Sequence, residues 1–269
     1  MVTLSSIVVS AAVAAVVMTL TAFVAWRQGR VAVVDVAWGL GFVAIGAAAV
    51  VVAVLTDHGD TRRAVLAAVM LAFWGARLAW HIHRRNPRGE DPRYERVLGG
   101  PLADVGMGRA VRKVFAVQGA AMVLVAAPVT VSAVRDVLAW PVVAVGVAAW
   151  LVGTLFETVG DAQLAAYRAQ PRGERRPVLD TGLWRYTRHP NYFGDACVWW
   201  GIWLVGGLAS GPWVGLATVV APLAMTYFLV WATGARLLEE SMMQRPAYRE
   251  YARRTSMFVP LPPRAPKGA

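Results

Sequence analysis

LSSIVVSAAVAAVVMTLTAFVA, residues 4–25, is a predominantly apolar run of the length that crosses a lipid bilayer as one helix. The run has no basic residue at its start and ends at Trp26-Arg27. A cleaved signal peptide has a basic start and a shorter apolar core. We therefore expect this run to be retained as the first transmembrane helix.

Similar runs recur along the chain, which is 57% hydrophobic and only 16% charged. A soluble domain carries about 25% charged residues, so the composition favours the bilayer as solvent. The predicted spans are residues 4–25, 32–55, 64–80, 114–134, 138–158, 193–209 and 212–234. Longer polar stretches, 81–113 and 159–192, separate them. The sequence predicts an all-α, polytopic membrane protein with about seven transmembrane helices in a single membrane domain, 1–269.

Basic residues determine the expected orientation, because cytoplasmic loops are enriched in Lys and Arg. With seven alternating spans, 23 of the 27 basic residues fall on one side and three on the other, with Arg77 inside a span. We expect an outside N-terminus, a cytoplasmic tail over 236–269, and a location in the inner (cytoplasmic) membrane. The net charge of +11 is then explained by topology and not by nucleic-acid binding. The Pro260–Pro263 end is expected to be extended and loosely held.

Polar residues within or beside the spans collect at the predicted cytoplasmic ends. They are Asp35, Arg77, Glu157, Asp161, Gln163, Asn191, Asp195, Arg236, Glu239 and Glu240. Charged groups in spans are costly and are functional candidates by default. Helix ends are often polar for structural reasons alone, but the outer ends carry almost nothing comparable. This asymmetry predicts a polar cavity that faces the cytoplasm.

The segment from Asp180 to Asp195 is the richest in polar groups. Pro190 suits the first turn of a helix, which would put Arg185, Arg188 and His189 beside a helix N-terminus. Such a terminus favours anions, so a phosphate- or carboxylate-bearing ligand is one interpretation. The other is that the two arginines are ordinary membrane anchors. The basic loop over 84–94 has the same two interpretations, as a wall of a phosphate pocket or as a patch attracted to anionic lipid.

Metal and disulfide chemistry are not expected. His81 and His83 are two residues apart and do not share a helix face, and no carboxylate-rich His cluster lies near them. Cys197 is the only cysteine of the chain. No phosphate-binding Walker loop and no Gly-x-Ser-x-Gly motif occurs in the sequence.

Residues 182–194, GLWRYTRHPNYFG, with Trp199-Trp200-Gly201 after them, resemble the C-terminal domain of the steroid 5α-reductase family. The closest likeness is to a bacterial branch of that family, which residues 34–39, 89–94 and 253–260 also resemble. The resemblance is strong over about 150–260 and weaker before that. It implies a seven-helix reductase that transfers hydride from NADPH to an alkene conjugated to a carbonyl. The implied substrate is an apolar lipid that arrives from the bilayer.

The resemblance also implies roles for single residues. Asn191 matches an Asn that contacts the cofactor, Asp161 and Arg168 match residues that bind the dinucleotide, and Asp195 stands where the family usually has Glu. Arg88 and Arg236 resemble cofactor-phosphate arginines, and Tyr186 matches a Tyr of the same pocket. Two positions depart from the family. Its carbonyl-polarising Tyr is Trp74 here, and Asp35 is only a loose equivalent of its Glu, so a steroid substrate does not follow.

A second resemblance implies a different reaction. The segment Arg188-His189-Pro190-(x)-Tyr192-(x)-Gly194, followed later by Glu239-Glu240 and then by Tyr248-(x)2-Tyr251, resembles the isoprenylcysteine carboxyl and phospholipid methyltransferases, which bind S-adenosylmethionine. A non-enzymatic membrane protein is the third interpretation. The reductase with NADPH is the main prediction. The combined candidate set is Asp35 and Tyr186 as catalytic residues, and Arg88, Asp161, Arg168, Arg188, His189, Asn191, Tyr192, Asp195, Arg236 and Glu240 as cofactor-binding residues.

Overall fold

The computed structural model describes residues 1–85, 89–171, 173–232 and 234–265. Within these ranges the chain is helical and has no β-strand. Six helical stretches are long and apolar enough to cross a membrane, which confirms an all-α, multi-pass membrane fold. They are Val2–Gln28, Val33–Thr56, Thr61–Arg84, Met107–Ser132, Trp140–Ala169 and Pro212–Met242.

The helices are named in chain order. They are α1 (Val2–Gln28), α2 (Val33–Thr56), α3 (Thr61–Arg85), α4 (Pro92–Leu98), α5 (Met107–Ser132), α6 (Trp140–Ala169), α7 (Pro190–Gly206), α8 (Pro212–Thr218), α9 (Val220–Tyr227), α10 (Ala235–Met242) and α11 (Pro246–Arg254). A turn at Leu102–Val105 precedes α5, which contains a π-helical segment at Val111–Phe115. A second π-helical segment, Phe228–Ala232, follows α9.

Six of the seven predicted spans overlap the six membrane-length stretches, and the sixth span falls outside them. The sixth, 193–209, is the 17-residue helix α7, close to the lower limit of about 17 residues for a span. The fifth, expected to end at 158, continues as α6 to Ala169. Residues 162–169 contain four alanines among other good helix formers, so the start of the predicted polar stretch is helical.

The chain divides into two compact units. The first comprises Met1–Ala144 and Ile202–Ala221, and the second comprises Val145–Gly201 and Pro222–Ala269. In the first unit, α2 and α3 approach most closely where Gly39 faces Gly75, since a Cβ on either glycine would collide with the backbone oxygen of the other. Small residues permit this close approach of membrane helices.

Arg63, in the first turn of α3, is fully buried in the first unit. Its guanidinium donates to the hydroxyl of Ser210 at 2.7 Å, to the carbonyl of Ser132 at 2.7 Å and to the carbonyl of Arg135. Ser132 is the last residue of α5 and Arg135 lies just beyond it, so neither carbonyl has a partner within that helix. Arg63 therefore caps the C-terminal end of α5, whereas the sequence indicated only a basic residue on the outer side.

In the second unit, glycines seven residues apart fix α6 against α7. A Cβ on Gly153 would lie 2.5 Å from the carbonyl oxygen of Gly194, and a Cβ on Gly201 would lie 2.6 Å from that of Gly146. A third glycine of the series, Gly160, faces the start of α7. The two backbones therefore touch along successive turns, and this contact determines which polar side chains meet at the end of the helix pair.

Candidate functional site

The loop before α7 is anchored on α6. Gly182, at φ 61°, starts a 3-10 turn that extends to Arg185. The backbone N–H of Leu183 donates to Gln163 Oε1 at 3.0 Å, and Trp184 Nε1 donates to the carbonyl of Gly160 at 3.1 Å. The predicted ligand-binding segment is therefore held in place before α7 begins.

The C-terminal tail pairs with the same loop. The backbone N–H of Arg188 donates to the carbonyl of Ser256 at 2.9 Å, and the Thr187 hydroxyl donates to that of Phe258 at 2.8 Å. Further along, the N–H of Leu261 donates to the carbonyl of Tyr186 at 3.0 Å. The expectation of a loosely held end at Pro260–Pro263 is therefore wrong at Leu261, because backbone hydrogen bonds hold the tail there.

Arg188 and Glu239 form a buried, bidentate ion pair in the second unit. Arg188 Nε donates to Glu239 Oε1 at 2.7 Å and Nη2 donates to Oε2 at 2.8 Å. The remaining nitrogen, Nη1, donates to the carbonyls of Thr255 at 2.7 Å and Ala252 at 2.9 Å. Burial lowers the pKa of Arg188, but the hydrogen bonds and charge of Glu239 outweigh this effect and raise it. Every nitrogen of this guanidinium is thus used within the protein.

His189 and Tyr248 complete the cluster around Glu239. His189 Nε2 lies 2.9 Å from Glu239 Oε1, and the Tyr248 hydroxyl donates to the same oxygen at 3.1 Å. Burial and the negative charge of Glu239 raise the pKa of Tyr248, so the phenol remains a donor at neutral pH. The ring of Tyr192 stacks on His189 at 5.5 Å between centroids. The cluster joins the start of α7 to α10 and α11.

A second polar pair lies where α6 meets the start of α7. Asn191 Nδ2 donates to Asp161 Oδ1 at 3.0 Å, and both side chains are half-buried. The backbone N–H of Tyr192 lies 3.1 Å from Asn191 Oδ1 and donates to it, which orients the amide. Gly160 permits close packing here, since a Cβ would lie 3.2 Å from the backbone nitrogen of Asn191.

Two other predicted residues lie on the same helices as this pair. Asp195 follows Asn191 by four residues on α7 and is half-buried, so the two share a helix face. Arg168 follows Asp161 by seven residues, two helical turns, and its side chain is exposed near the end of α6. The sequence prediction placed these four residues together only by resemblance, and the second unit contains all of them.

The remaining candidates of the second unit are exposed. Tyr186 is 43% exposed, and Arg236 and Glu240 are exposed on α10. Glu239, the neighbour of Glu240, is the buried carboxylate of the Arg188 cluster. Arg88 lies outside the described residues.

Asp35 belongs to the first unit, where residues 89–94, which end in the first turn of α4, pack on the start of α2. The Tyr94 hydroxyl donates to Asp35 Oδ1, and Arg93 Nη2 lies 3.3 Å from Asp35 Oδ2. Glu90 caps α2 by accepting from the N–H groups of Val31 at 2.5 Å and Ala32 at 2.9 Å. Burial and the charge of Asp35 raise the pKa of Tyr94. Residues 89–94, which resemble the bacterial branch, thus form hydrogen bonds with the Asp35 carboxylate and with the backbone at the start of α2.

A cavity of about 340 Å³ opens beside Asp35 in the first unit. Its walls are mostly apolar residues of α1 and α2, and its polar lining includes Arg30, His83 and Asp91. Trp74, which stands at the position of the family's Tyr, does not line this cavity. Its indole is buried and packs edge-on against Phe42 with centroids 5.7 Å apart.

The chemistry available differs between these sites. In the Arg188 cluster, the charges of Arg188 and Glu239 are paired with each other. The Asp161–Asn191 pair presents a carboxylate and an amide, groups that bind hydroxyl and amide donors and acceptors of a ligand. Among the described residues no group of His, Cys, Asp and Glu could hold a metal ion.

Sequence reasoning missed the part played by Tyr94 and Tyr248, although it had singled out the motifs that contain them. Hydroxyl donors to carboxylates leave no spacing signal, because their partners are 59 and nine residues away. The glycines of α6 and α7 did carry a readable signal, a spacing of seven residues on both helices.

Comparison with known proteins identifies a family. Neither the curated proteins nor the solved structures contain a match to the chain. A family model described as a protein of unknown function, DUF1295, matches residues 21–255 and therefore covers both units. The chain is a member of the DUF1295 family.

Proposed function

We propose that the protein is a membrane-embedded reductase that uses NADPH to reduce a carbon–carbon double bond conjugated to a carbonyl in an apolar lipid. The observation that carries the proposal is the hydrogen bond between Asn191 and Asp161 at the junction of α6 and α7. These are the residues that the resemblance to steroid 5α-reductases assigns to the dinucleotide. Arg168 and Asp195, the other two of that set, lie on the same helices.

The residues present fit a dinucleotide in chemical type. Carboxylates such as Asp161 and Asp195 accept hydrogen bonds from ribose hydroxyls, and exposed arginines such as Arg168 and Arg236 bind phosphate. NADPH supplies the hydride when bound. The chain's part is to bind and orient the cofactor at the end of α6 that carries Arg168. The apolar surfaces of the spans would admit a substrate from the bilayer.

Methyl transfer from S-adenosylmethionine is the second candidate, and the Arg188–His189–Glu239 cluster is the observation that favours it. The same cluster also limits it. Glu239 Oε1 accepts three hydrogen bonds and Oε2 accepts one, all from the protein itself. Its carboxylate is therefore committed to the fold, and Glu240, the exposed member of the pair, would have to bind the cofactor alone. The reductase accounts better for Asp161, Arg168 and Asn191, which the resemblance to methyltransferases does not involve.

Binding of the cofactor to purified protein in detergent tests the proposal. We expect saturable binding of NADPH and none of S-adenosylmethionine. The variants Asn191→Ala and Arg168→Ala should weaken NADPH binding about tenfold or more, whereas Arg249→Ala, an exposed arginine on α11, should bind as the wild type does. Wild-type affinity in both site variants would overturn the assignment of these residues. Saturable binding of S-adenosylmethionine with none of NADPH would favour the methyltransferase.

A further inference from the structure

A groove of about 460 Å³ runs between α1 and α5 in the first unit. All of its lining residues but one are apolar, the exception being Thr19. Ala11 and Val123 line one end, and Ala22 and Val111 line the other. Its volume lies within the range of about 300–1,000 Å³ that small-molecule sites occupy. The two ends of the groove differ in the residues that border them.

The length of the groove favours an acyl chain over a helix. The lining residues of α5 extend from Val111 to Val123. At 1.5 Å per residue this is roughly 18 Å, more than one leaflet but well short of the roughly 30 Å hydrocarbon core. A transmembrane helix of a partner would need a surface that extends across the whole core. A single acyl chain inserted from one leaflet needs only this depth.

One end of the groove is basic. Arg112 precedes the lining residue Ala116 by one helical turn, and Lys113 stands beside it; both side chains are exposed. Arg112 Nε donates to the carbonyl of Gly108 at 3.3 Å, and Lys113 Nζ donates to that of Val97 at 3.0 Å. These hydrogen bonds hold Arg112 against α5 and Lys113 against α4, next in sequence to the lining residue Val111.

An interfacial aromatic residue borders the same end. Trp26 follows the lining residue Ala22 by one turn of α1 and is 59% exposed. Exposed Trp side chains lie at the level of lipid headgroups. A ligand whose chain fills the groove would therefore present its head between an indole and two cations. A negatively charged head is the one that complements them.

We infer that the groove between α1 and α5 binds an anionic phospholipid, with one acyl chain against Ala22, Gly119 and Val123 and the phosphate beside Arg112 and Lys113. The inference does not depend on the reductase activity, because the groove involves none of the residues proposed to bind NADPH. The lipid is a bound component that occupies a defined site in the first unit.

Native mass spectrometry of the detergent-purified full-length chain tests the inference. The probes are palmitoyl-oleoyl phosphatidylglycerol and palmitoyl-oleoyl phosphatidylcholine, which share both chains and differ in charge. We expect the wild type to retain one phosphatidylglycerol, with at least tenfold preference over phosphatidylcholine. The double variant Arg112→Ala/Lys113→Ala should lose most of that preference, since each basic residue near a headgroup contributes about fivefold. Arg245→Ala/Arg249→Ala removes the same charge from the second unit and should not change it.

Variants that fill the groove test the binding of the acyl chain separately from the binding of the charged headgroup. Ala120→Trp and, independently, Ala15→Leu place bulk on exposed lining positions and should abolish retention of the lipid. Leu151→Trp, a bulky change at an exposed apolar position of α6, is the matched control and should retain it. The inference is overturned if a correctly folded filled variant retains phosphatidylglycerol as the wild type does. It is also overturned if both lipids bind equally, or if the groove proves to hold a second copy of the chain, detected as a dimer that the filled variants lose.

Discussion

The guanidinium of Arg188 and the carboxylate of Glu239 meet side on, with two parallel hydrogen bonds of 2.7 and 2.8 Å across 51 residues of sequence. Both side chains are less than one-tenth exposed. Such a pair holds the loop before α7 against α10. The role of this pair is therefore to position the start of α7, where Asn191 lies.

Removing one member of this pair should be costly. Glu239→Ala leaves the Arg188 cation buried without its partner, and losing one partner of a buried ion pair costs about 3–5 kcal/mol. The thermal unfolding midpoint in detergent should fall by many degrees. Glu240→Ala, at the exposed neighbouring position, should change stability by less than about 0.5 kcal/mol. Equal effects of the two substitutions would contradict the structural role given to Glu239.

Close contact of α6 and α7 should be sensitive to one methyl group. Gly153→Ala would put a Cβ 2.5 Å from the carbonyl oxygen of Gly194, so the helices must separate. We expect a loss of about 1–3 kcal/mol in stability from overpacking, and weaker NADPH binding because Asn191 moves relative to Asp161. Gly108→Ala is the matched helical control, since nothing lies within 4 Å of its Cβ position. Thermal unfolding and NADPH titration measure the two effects, and unchanged values for Gly153→Ala would refute the contact.

The Asn191–Asp161 pair allows an exchange experiment. Asn191→Asp puts two carboxylates at hydrogen-bonding distance and should weaken NADPH binding more than Asn191→Ala does, because like charges repel. Combining it with Asp161→Asn restores one amide and one carboxylate in reversed positions. The double variant should recover part of the affinity in a fluorescence titration. Additive losses in the double variant would show that the two side chains act independently.

The Tyr94–Asp35 hydrogen bond predicts a dependence on alkaline pH. A hydrogen bond to a charged group contributes about 1.5–3 kcal/mol, so Tyr94→Phe should lose stability of that order at pH 7. The pKa of Tyr94 is raised in the folded state, so this contribution is fully present below the unfolded pKa of about 10 and is lost as pH rises beyond it. The difference between wild type and Tyr94→Phe should therefore be constant from pH 6 to about 9 and narrow above 10. Unfolding midpoints over that range measure it; a gap that widens above pH 10 would contradict the assignment.

Much of the fold could be predicted because bilayer-spanning segments must satisfy their own backbone hydrogen bonds, so apolar runs of sufficient length become helices. The end of α6 was less predictable, since residues 159–169 carry both polar groups and a strong helix propensity. The site was only partly predictable. Asp161 and Asn191 were named by resemblance, but neither spacing nor composition indicates that their side chains touch.

The sequence by itself determined the helical, multi-pass character of this protein, because hydropathy acts locally and each span is readable from its own residues. It also named the segment 180–195 as the richest in polar groups. Only the tertiary structure decided that Glu239 is buried and Glu240 exposed, since adjacent helix residues point about 100° apart and packing selects one of them. The tertiary structure likewise decided that Arg188 serves the fold, because its partners come from Glu239 and from the tail residues Ala252 and Thr255, which are distant in sequence.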